Sequence, residues 1–298
     1  MNVLSLFDGI AVTCLALKRA RIPVNKYYAS EIDIYARTVA VLNHPEITQL
    51  GDVKTIKAEQ MEPIDLLIGG SPCQDLSSLG KGAGLEGERS GLFYEYLRIL
   101  NEVKPKYFVL ENVASMPIKE RDVISGLLGV EPIMINSSTV SAQCRKRLYW
   151  SNLKITQPKD KGILLQDILM DGFADRTKAH TILTNQLPET LGGLTRYLNK
   201  ATGQVAFREQ YFAKLDKETK IARFYNMQRL SSVLTPNKKY SKNGVFRHLS
   251  VHELEALQTL PKDYTACISK SQRYKCLGNS FTADVIAHIL SFIPKENR

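Results

Sequence analysis

From its first residue the chain alternates short apolar runs with amphipathic stretches. Val3-Leu4-Ser5-Leu6-Phe7 is an apolar run that ends in Asp8-Gly9, a strand followed by a turn. Thr13 to Arg21 follows, with Leu15, Ala16 and Ala20 at helical spacing. Tyr27 to Ser30 predicts a second strand, ending at Glu31, and Tyr35 to Leu42 a second helix, stopped by Asn43-His44-Pro45. Asp65 to Ile68 is a buried-type strand that enters Gly69-Gly70-Ser71-Pro72. Leu92 to Leu100 is amphipathic, and Tyr107 to Leu110 is another buried strand, ending at Glu111-Asn112. This β-α-β-α order predicts an α/β fold in which helices cover both faces of a parallel sheet. Ligands of such sheets sit at the carboxyl ends of the strands, where the acidic, Gly and Cys residues of these runs fall.

Between 151 and 245 the periodicity weakens. Gly192-Gly193, Thr202-Gly203 and Asn237 to Gly244 punctuate short mixed segments rich in Tyr and Lys, which predicts a smaller, irregular domain. Order returns at 246. Ser250-Val251-His252-Glu253 has the form of a capping box, with Leu254 and Leu257 as the apolar face of its helix. Phe281 to Phe292 is a strongly apolar terminal helix expected to pack back on the first domain. The pattern therefore divides the chain into 1–154, 155–245 and 246–298.

Composition narrows the class. The 298 residues are 44% hydrophobic and 23% charged, ordinary for a folded protein with a sizeable core. Five cysteines, Cys14, Cys73, Cys144, Cys267 and Cys276, show no C-x-x-C spacing, and five histidines complete no zinc pattern, so neither a disulfide scaffold nor a metal is expected. No apolar run reaches the ~18 to 20 residues of a membrane span. The start, MNVLSLFDG, lacks the basic flank of a signal peptide, so a reducing, cytoplasmic setting is the expectation. Charge is unevenly spread. Residues 1–150 carry 17 Lys+Arg against 17 Asp+Glu, whereas the rest carry 23 against 13 and hold the whole net charge of +10. A neutral body joined to a basic module suits a polyanion partner. A solvated Lys-rich face explains the charge equally well.

Three stretches carry candidate chemistry. Cys73 follows Pro72 beyond a buried strand and a Gly pair, and Gly80, Gly82, Gly84, Gly87 and Gly91 follow it. A thiolate is the best side-chain nucleophile near neutral pH, so this is a candidate nucleophile on a glycine-rich loop. A lone Cys is nonetheless more often a buried structural residue. Glu111 ends a buried strand, where a carboxyl can be held protonated as an acid or can simply cap or ion-pair. Arg145 and Arg147 alternate in Gln143-Cys144-Arg145-Lys146-Arg147, so on a strand they would share one face and could grip a phosphate and a base oxygen. A solvated basic cluster is the alternative.

Taken together these blocks are far more specific. With Leu6-Phe7-Asp8-Gly9, Ser30-Glu31, Gly51-Asp52-Val53, Arg247-x-Leu-Ser-x-x-Glu253 and Leu277-Gly278-Asn279-Ser280, they stand in the order of the DNA cytosine-C5 methyltransferase family, which the chain resembles over nearly its whole length. The wording SLFDGIA with GGSPCQDLS is most similar to the de novo animal enzymes and their phage and bacterial relatives. The resemblance implies a Rossmann-like methyltransferase domain with a mixed, mostly parallel sheet. It makes 155–245 a target-recognition domain on double-stranded DNA and 246–298 a return to the catalytic domain.

By the same resemblance Cys73 adds to C6 of a flipped cytosine, Glu111 holds N3, Arg147 binds O2 and Arg145 supports the site, while 77–91 closes as a lid. S-adenosylmethionine is the implied methyl donor, held by Phe7, Asp8, Gly9, Ile10, Glu31, Ile32, Asp52, Val53, Pro72, Asn279 and Ser280. A monomer with no membrane partner is expected, and a cognate restriction enzyme is compatible with the family. A transfer-RNA cytosine methyltransferase of the same fold, or a catalytically dead DNA-binding regulator, are the competing readings. The placement and size of the basic segment argue against the first, and retention of Cys73, Glu111, Arg145 and Arg147 against the second.

One departure stands out. The family's first loop usually runs Phe-x-Gly-x-Gly, but here Phe7-Asp8-Gly9-Ile10-Ala11-Val12-Thr13-Cys14 has a single glycine. Side chains with a Cβ favour negative φ, so ordinary negative φ is expected at Ala11, Val12 and Thr13, with Thr13 opening the following helix.

Overall fold

The computed structural model describes residues 1–71, 92–174, 176–182, 204, 206–208, 210, 214 and 246–295. It divides into two compact units. One comprises Met1–Ser137, Lys146–Lys159 and Ser280–Arg298, the other Ser138–Arg145 and Asp160–Asn279.

In the first unit the elements run β1 (Asn2–Leu6), α1 (Val12–Arg19), β2 (Lys26–Ser30), α2 (Ile34–Asn43), β3 (Thr48–Gln49), β4 (Leu66–Gly70), α3 (Leu92–Val103), β5 (Tyr107–Val113), α4 (Ile118–Leu128), β6 (Ile133–Asn136) and β7 (Lys146–Ser151). Seven strands form one sheet in the order β3-β2-β1-β4-β5-β7-β6. Neighbours from β3 to β5 pair parallel, and β7 runs antiparallel to both β5 and β6. The sheet is therefore mixed and mostly parallel. Its central strands are apolar without alternation because helices bury both faces: Val3, Leu4, Leu66, Leu67, Ile68, Val109 and Leu110 have no exposed surface. Helix α3 buries Phe93, Tyr96 and Ile99 from one stripe. Helix α2 starts where the Asp33 side chain accepts the N–H groups of Tyr35 and Ala36.

The second unit holds α5 (Leu165–Ile168), a three-stranded antiparallel sheet of β8 (Phe173–Ala174), β9 (Ala206–Phe207) and β10 (Phe246–Arg247), then α6 (Val251–Leu257) and α7 (Lys270–Asn279). The chain rejoins the first unit at Ser280 and ends in α8 (Ala283–Leu290), which packs on α1 and ties to it through Arg19 and Asp284 at 2.6 Å. The terminal helix thus returns as expected. The segment from 246 first builds the second unit, because α6 and α7 are locked together: Gln258 Nε2 donates to Leu277 O at 2.8 Å, and Arg273 pairs with the fully buried Glu255 at 2.9 Å.

Two local expectations are corrected. Helix α1 opens at Val12, and Ala11 is left-handed at φ 58°, as are Phe7 at 56° and Gly9 at 62°. Closing this tight turn, in which Ala11 N donates to Asp8 O at 3.3 Å, demands the left-handed region, and a single methyl tolerates it. Val12 and Thr13 keep negative φ. Arg145 and Arg147 do not share a strand face, because β7 begins only at Lys146. The preceding residues pair elsewhere: Cys144 N donates to Ala179 O at 2.8 Å and Ala179 N to Ala142 O at 2.7 Å.

Candidate active site

The carboxyl ends of β4 and β5 lie side by side, with Gly70 in register with Glu111. Across β5, Val113 opposes Arg147, so Glu111 and Arg147 are diagonal neighbours on one face. Arg147 Nε donates to Glu111 Oε1 at 2.8 Å, and both side chains are nearly buried, 14% and 12% exposed. The other carboxylate oxygen, Oε2, lies over Gly70: a Cβ built there would stand 2.9 Å from it and 2.8 Å from Cε1 of Phe281. Asn112, the next residue of β5, is buried, and its Nδ2 donates to Ser71 Oγ at 3.1 Å while its Oδ1 accepts Val113 N at 2.8 Å. The residue before Pro72-Cys73 is thereby fixed to the strand that carries Glu111. Sequence reasoning missed Phe281 and the special need for Gly70. Their signal was a Phe directly after Gly278-Asn279-Ser280 and a second Gly before Ser71.

At the ends of β1 and β2 a second group collects. Glu31 accepts Gly9 N at 2.9 Å through Oε2, and Ile32 N and Asp33 N, each at 2.8 Å, through Oε1. Nothing lies within 4 Å of a Cβ built on Gly9, so the space above it is open. Ile32 beside it is 73% exposed, and Phe7 is half-buried against the core. Asp52 is exposed and caps the turn Val53–Thr55 by accepting Lys54 N at 3.0 Å. Val53 and Ile10 are buried, Val53 within the main core, and Ser280 is buried too.

The Asp8 carboxyl turns inward, where Tyr27 donates to its Oδ1 at 2.6 Å. Burial pushes its pKa from the usual 3.8 up to about 7, against the opposing pull of the Tyr27 hydroxyl. Its Oδ2, with Ser5 Oγ and Thr13 Oγ1, is buried without a hydrogen-bond partner. The same burial pushes the Cys14 thiol upward.

In the second unit Arg145 is buried and its Nη1 donates to Gly278 O at 3.3 Å, and Asn279 is exposed at the end of α7. Gln143, fully buried, donates to Leu257 O at 3.1 Å and accepts Ile182 N at 2.8 Å, so this motif residue is a structural hub. Arg247 pairs with Glu253 at 2.7 Å and with Asp171. His252, Glu255 and Asp263 bring three possible ligand atoms within 4.8 Å of one another, but Glu255 is already held by Arg273 and Thr265. Cys73, Pro72, the glycine-rich segment 77–91 and most of the basic stretch 196–247 lie outside the described residues. Among the described residues no helix is long and apolar enough to cross a membrane.

With this geometry in hand, comparison with known proteins is specific. The sequence pattern of a family described as C-5 cytosine-specific DNA methylase matches residues 1–125 and 134–295. An orphan methyltransferase, M.SPRI of Bacillus phage SPR, is 28% identical over 310 residues, 86% of this chain and 71% of its own length. The type II methyltransferase M.NgoPII of Neisseria gonorrhoeae is 26% identical over 99% of this chain and 96% of its own. Among solved structures, a DNMT2 from Spodoptera frugiperda superposes with a TM-score of 0.69 over 98% of each chain at 20% identity, a likeness of fold.

Proposed function

The chain belongs to the C-5 cytosine-specific DNA methylase family, and on that premise we propose that it transfers a methyl group from S-adenosylmethionine to C5 of a cytosine turned out of duplex DNA, through a covalent adduct with Cys73. The observation that carries this reading is the Glu111 carboxyl held between Arg147 and Gly70, one residue from the Asn112–Ser71 contact that leads into Pro72-Cys73.

C5 of cytosine is too weak a nucleophile to attack a sulfonium methyl. Addition of the Cys73 thiolate to C6 forms the S–C bond and pushes the C5=C6 electron pair toward N3. Glu111 supplies or shares the proton that N3 then takes, and Arg147 holds O2, so the charge that develops on the ring meets fixed partners. C5 is now enamine-like. The donor's sulfonium supplies the electrophilic methyl group. Loss of the C5 proton to water and return of the N3 proton to Glu111, with departure of Cys73 as its thiolate, restore the aromatic ring.

The residues at the ends of β1 and β2 suit the donor. Glu31 offers carboxylate acceptors to ribose hydroxyls, the open space above Gly9 admits close approach to backbone, and the exposed Ile32 and half-buried Phe7 offer apolar faces to an adenine. Asp52 would take the adenine amino group, with Val53 nearby, and Ser280 would reach the amino-acid end. Asp8 and Ile10 contribute through the loop backbone, since their side chains are buried.

Bisulfite sequencing of DNA from cells expressing the chain identifies the methylated word, and parallel assays on duplex DNA and transfer RNA fix the substrate. On that word, 5-fluorocytosine duplex should trap a covalent complex, because fluorine cannot leave C5 as a proton does. Cys73→Ser should abolish trapping and turnover while duplex binding survives. Adduct formation by Cys73→Ser would defeat the assignment.

A further inference from the structure

We infer that Phe281 is a positioning residue for the Glu111 carboxyl and that Gly70 is glycine to let the two meet. The inference rests on the functional reading above only for what Glu111 does; the placement itself is geometric. Gly70 is paired in register with Glu111 on the adjacent strand, where an ordinary residue would project a side chain alongside it. Here the missing Cβ leaves a gap into which two side chains reach. A Cβ would stand 2.8 and 3.1 Å from Cε1 and Cζ of Phe281 and 2.9 Å from Glu111 Oε2. Such distances are below van der Waals contact, so the carboxyl and the ring edge both occupy the space that a Cβ at residue 70 would fill.

The result is a three-sided clamp. Arg147 binds Oε1, the backbone of Gly70 floors Oε2, and the ring of Phe281 stands beside that floor. Phe281 is itself held firmly. Ser280 before it and Thr282 after it are buried, and Thr282 stands directly before α8, whose Ala283, Ile286 and Ile289 have no exposed surface.

Gly69 is the internal contrast. A Cβ there would meet the backbone carbonyl of Leu6 at 2.9 Å, which cannot move without opening the β1–β4 pairing. At Gly70 the three nearest atoms all belong to side chains, those of Glu111 and Phe281, and none to the backbone. Alanine at 69 should therefore damage the fold, whereas alanine at 70 should leave the fold and displace the carboxyl.

The test compares wild type, Gly69→Ala, Gly70→Ala, Phe281→Leu and the double variant Gly70→Ala/Phe281→Leu. Thermal melting should fall strongly only for Gly69→Ala. In Gly70→Ala and Phe281→Leu, kcat on the methylated DNA word should fall about tenfold or more, the scale of an ångström-sized misplacement, with KM for donor and DNA within about twofold. The double variant should lose no more than the worse single, because both act on one carboxyl. Independently of turnover, the 13C carboxyl resonance of Glu111, assigned with Glu111→Gln, should shift in Gly70→Ala and Phe281→Leu. An unshifted resonance together with kcat within twofold of wild type in Phe281→Leu, which introduces no clash, would overturn the inference. So would a loss that falls wholly on the KM for donor. A wild type inert on DNA would count against the functional reading alone, and the resonance would still decide the placement.

Discussion

Ala11 shows how much one backbone angle decides. It is fully buried and left-handed, a conformation that costs an L-residue ~1 to 2 kcal/mol relative to glycine. Ala11→Gly removes that cost but also a buried methyl worth ~0.8 kcal/mol, so urea melts should place it within about 1 kcal/mol of wild type. Ala11→Val adds a branched side chain to the same angle in a filled site and should destabilise by ~3 kcal/mol or more. A Val variant as stable as wild type would show that the loop can adopt the negative φ its composition suggested. Glu111 makes the complementary point about chemistry. Glu111→Gln keeps the shape but removes the carboxyl that meets Arg147, and single-turnover rates should drop roughly 10²-fold or more.

Helix α6 shows an element whose start is written locally and whose worth is not. Ser250 Oγ accepts Glu253 N at 3.2 Å and Glu253 Oε2 accepts Ser250 N at 2.6 Å, the capping box that the four residues foretold. Glu253 also receives Met170 N at 2.7 Å and the Arg247 guanidinium. Burial alone would raise its carboxyl pKa, but these partners outweigh burial and hold it below the usual range. Ser250→Ala should therefore cost only the ~1 kcal/mol of a lost cap. Glu253→Ala removes one of the two carboxylates that hold the half-buried Arg247 guanidinium, together with the acceptor of Met170 N, and should cost ~2 kcal/mol or more. Chemical denaturation read by circular dichroism separates the two, and equal losses would mean that the box carries the whole interaction.

At the scale of the molecule, pH and salt act on different parts. Asp8 ionises in the folded first unit only near pH 7, against 3.8 when unfolded, so the native state binds the extra proton between those values. Its stabilisation is intact below pH ~4 and is lost as pH rises through 7, amounting to roughly 4 kcal/mol. Glu253 and Glu255 of the second unit have lowered pKa values, so their contribution is present above the usual carboxylate range and is lost on acidification. Trp150 is the single tryptophan and is fully buried in the first unit, where its Nε1 donates to Ser125 Oγ at 3.0 Å, so its fluorescence reports that unit. Denaturant midpoints followed at Trp150 should fall from pH 5 to pH 8 and should flatten in Asp8→Asn; a wild-type midpoint that rises over this range would refute the assignment. DNA affinity should fall steeply between ~50 and ~200 mM salt, and neutralising Lys238 and Lys239 should flatten that slope on every sequence. An affinity indifferent to salt would remove the basic segment from the DNA-binding surface.

The order of strands and helices up to Val113, the capping box of α6 and the returning terminal helix were legible because each is a local event, a run of apolar residues or a short-range hydrogen bond between near neighbours. The family was legible for the same reason, since its blocks are contiguous and ordered. What the linear pattern could not contain were relations between strands. That Gly70 lies beside Glu111, with Phe281 filling the space a Cβ there would take from far along the chain, follows from sheet register and from where α8 docks. Arg145 left the strand because Cys144 pairs with Ala179, a partner chosen by the second unit rather than by Arg-Lys-Arg itself. Ala11 took a left-handed angle because a buried turn closed around it, and closure of the tertiary structure outweighed the residue's own preference.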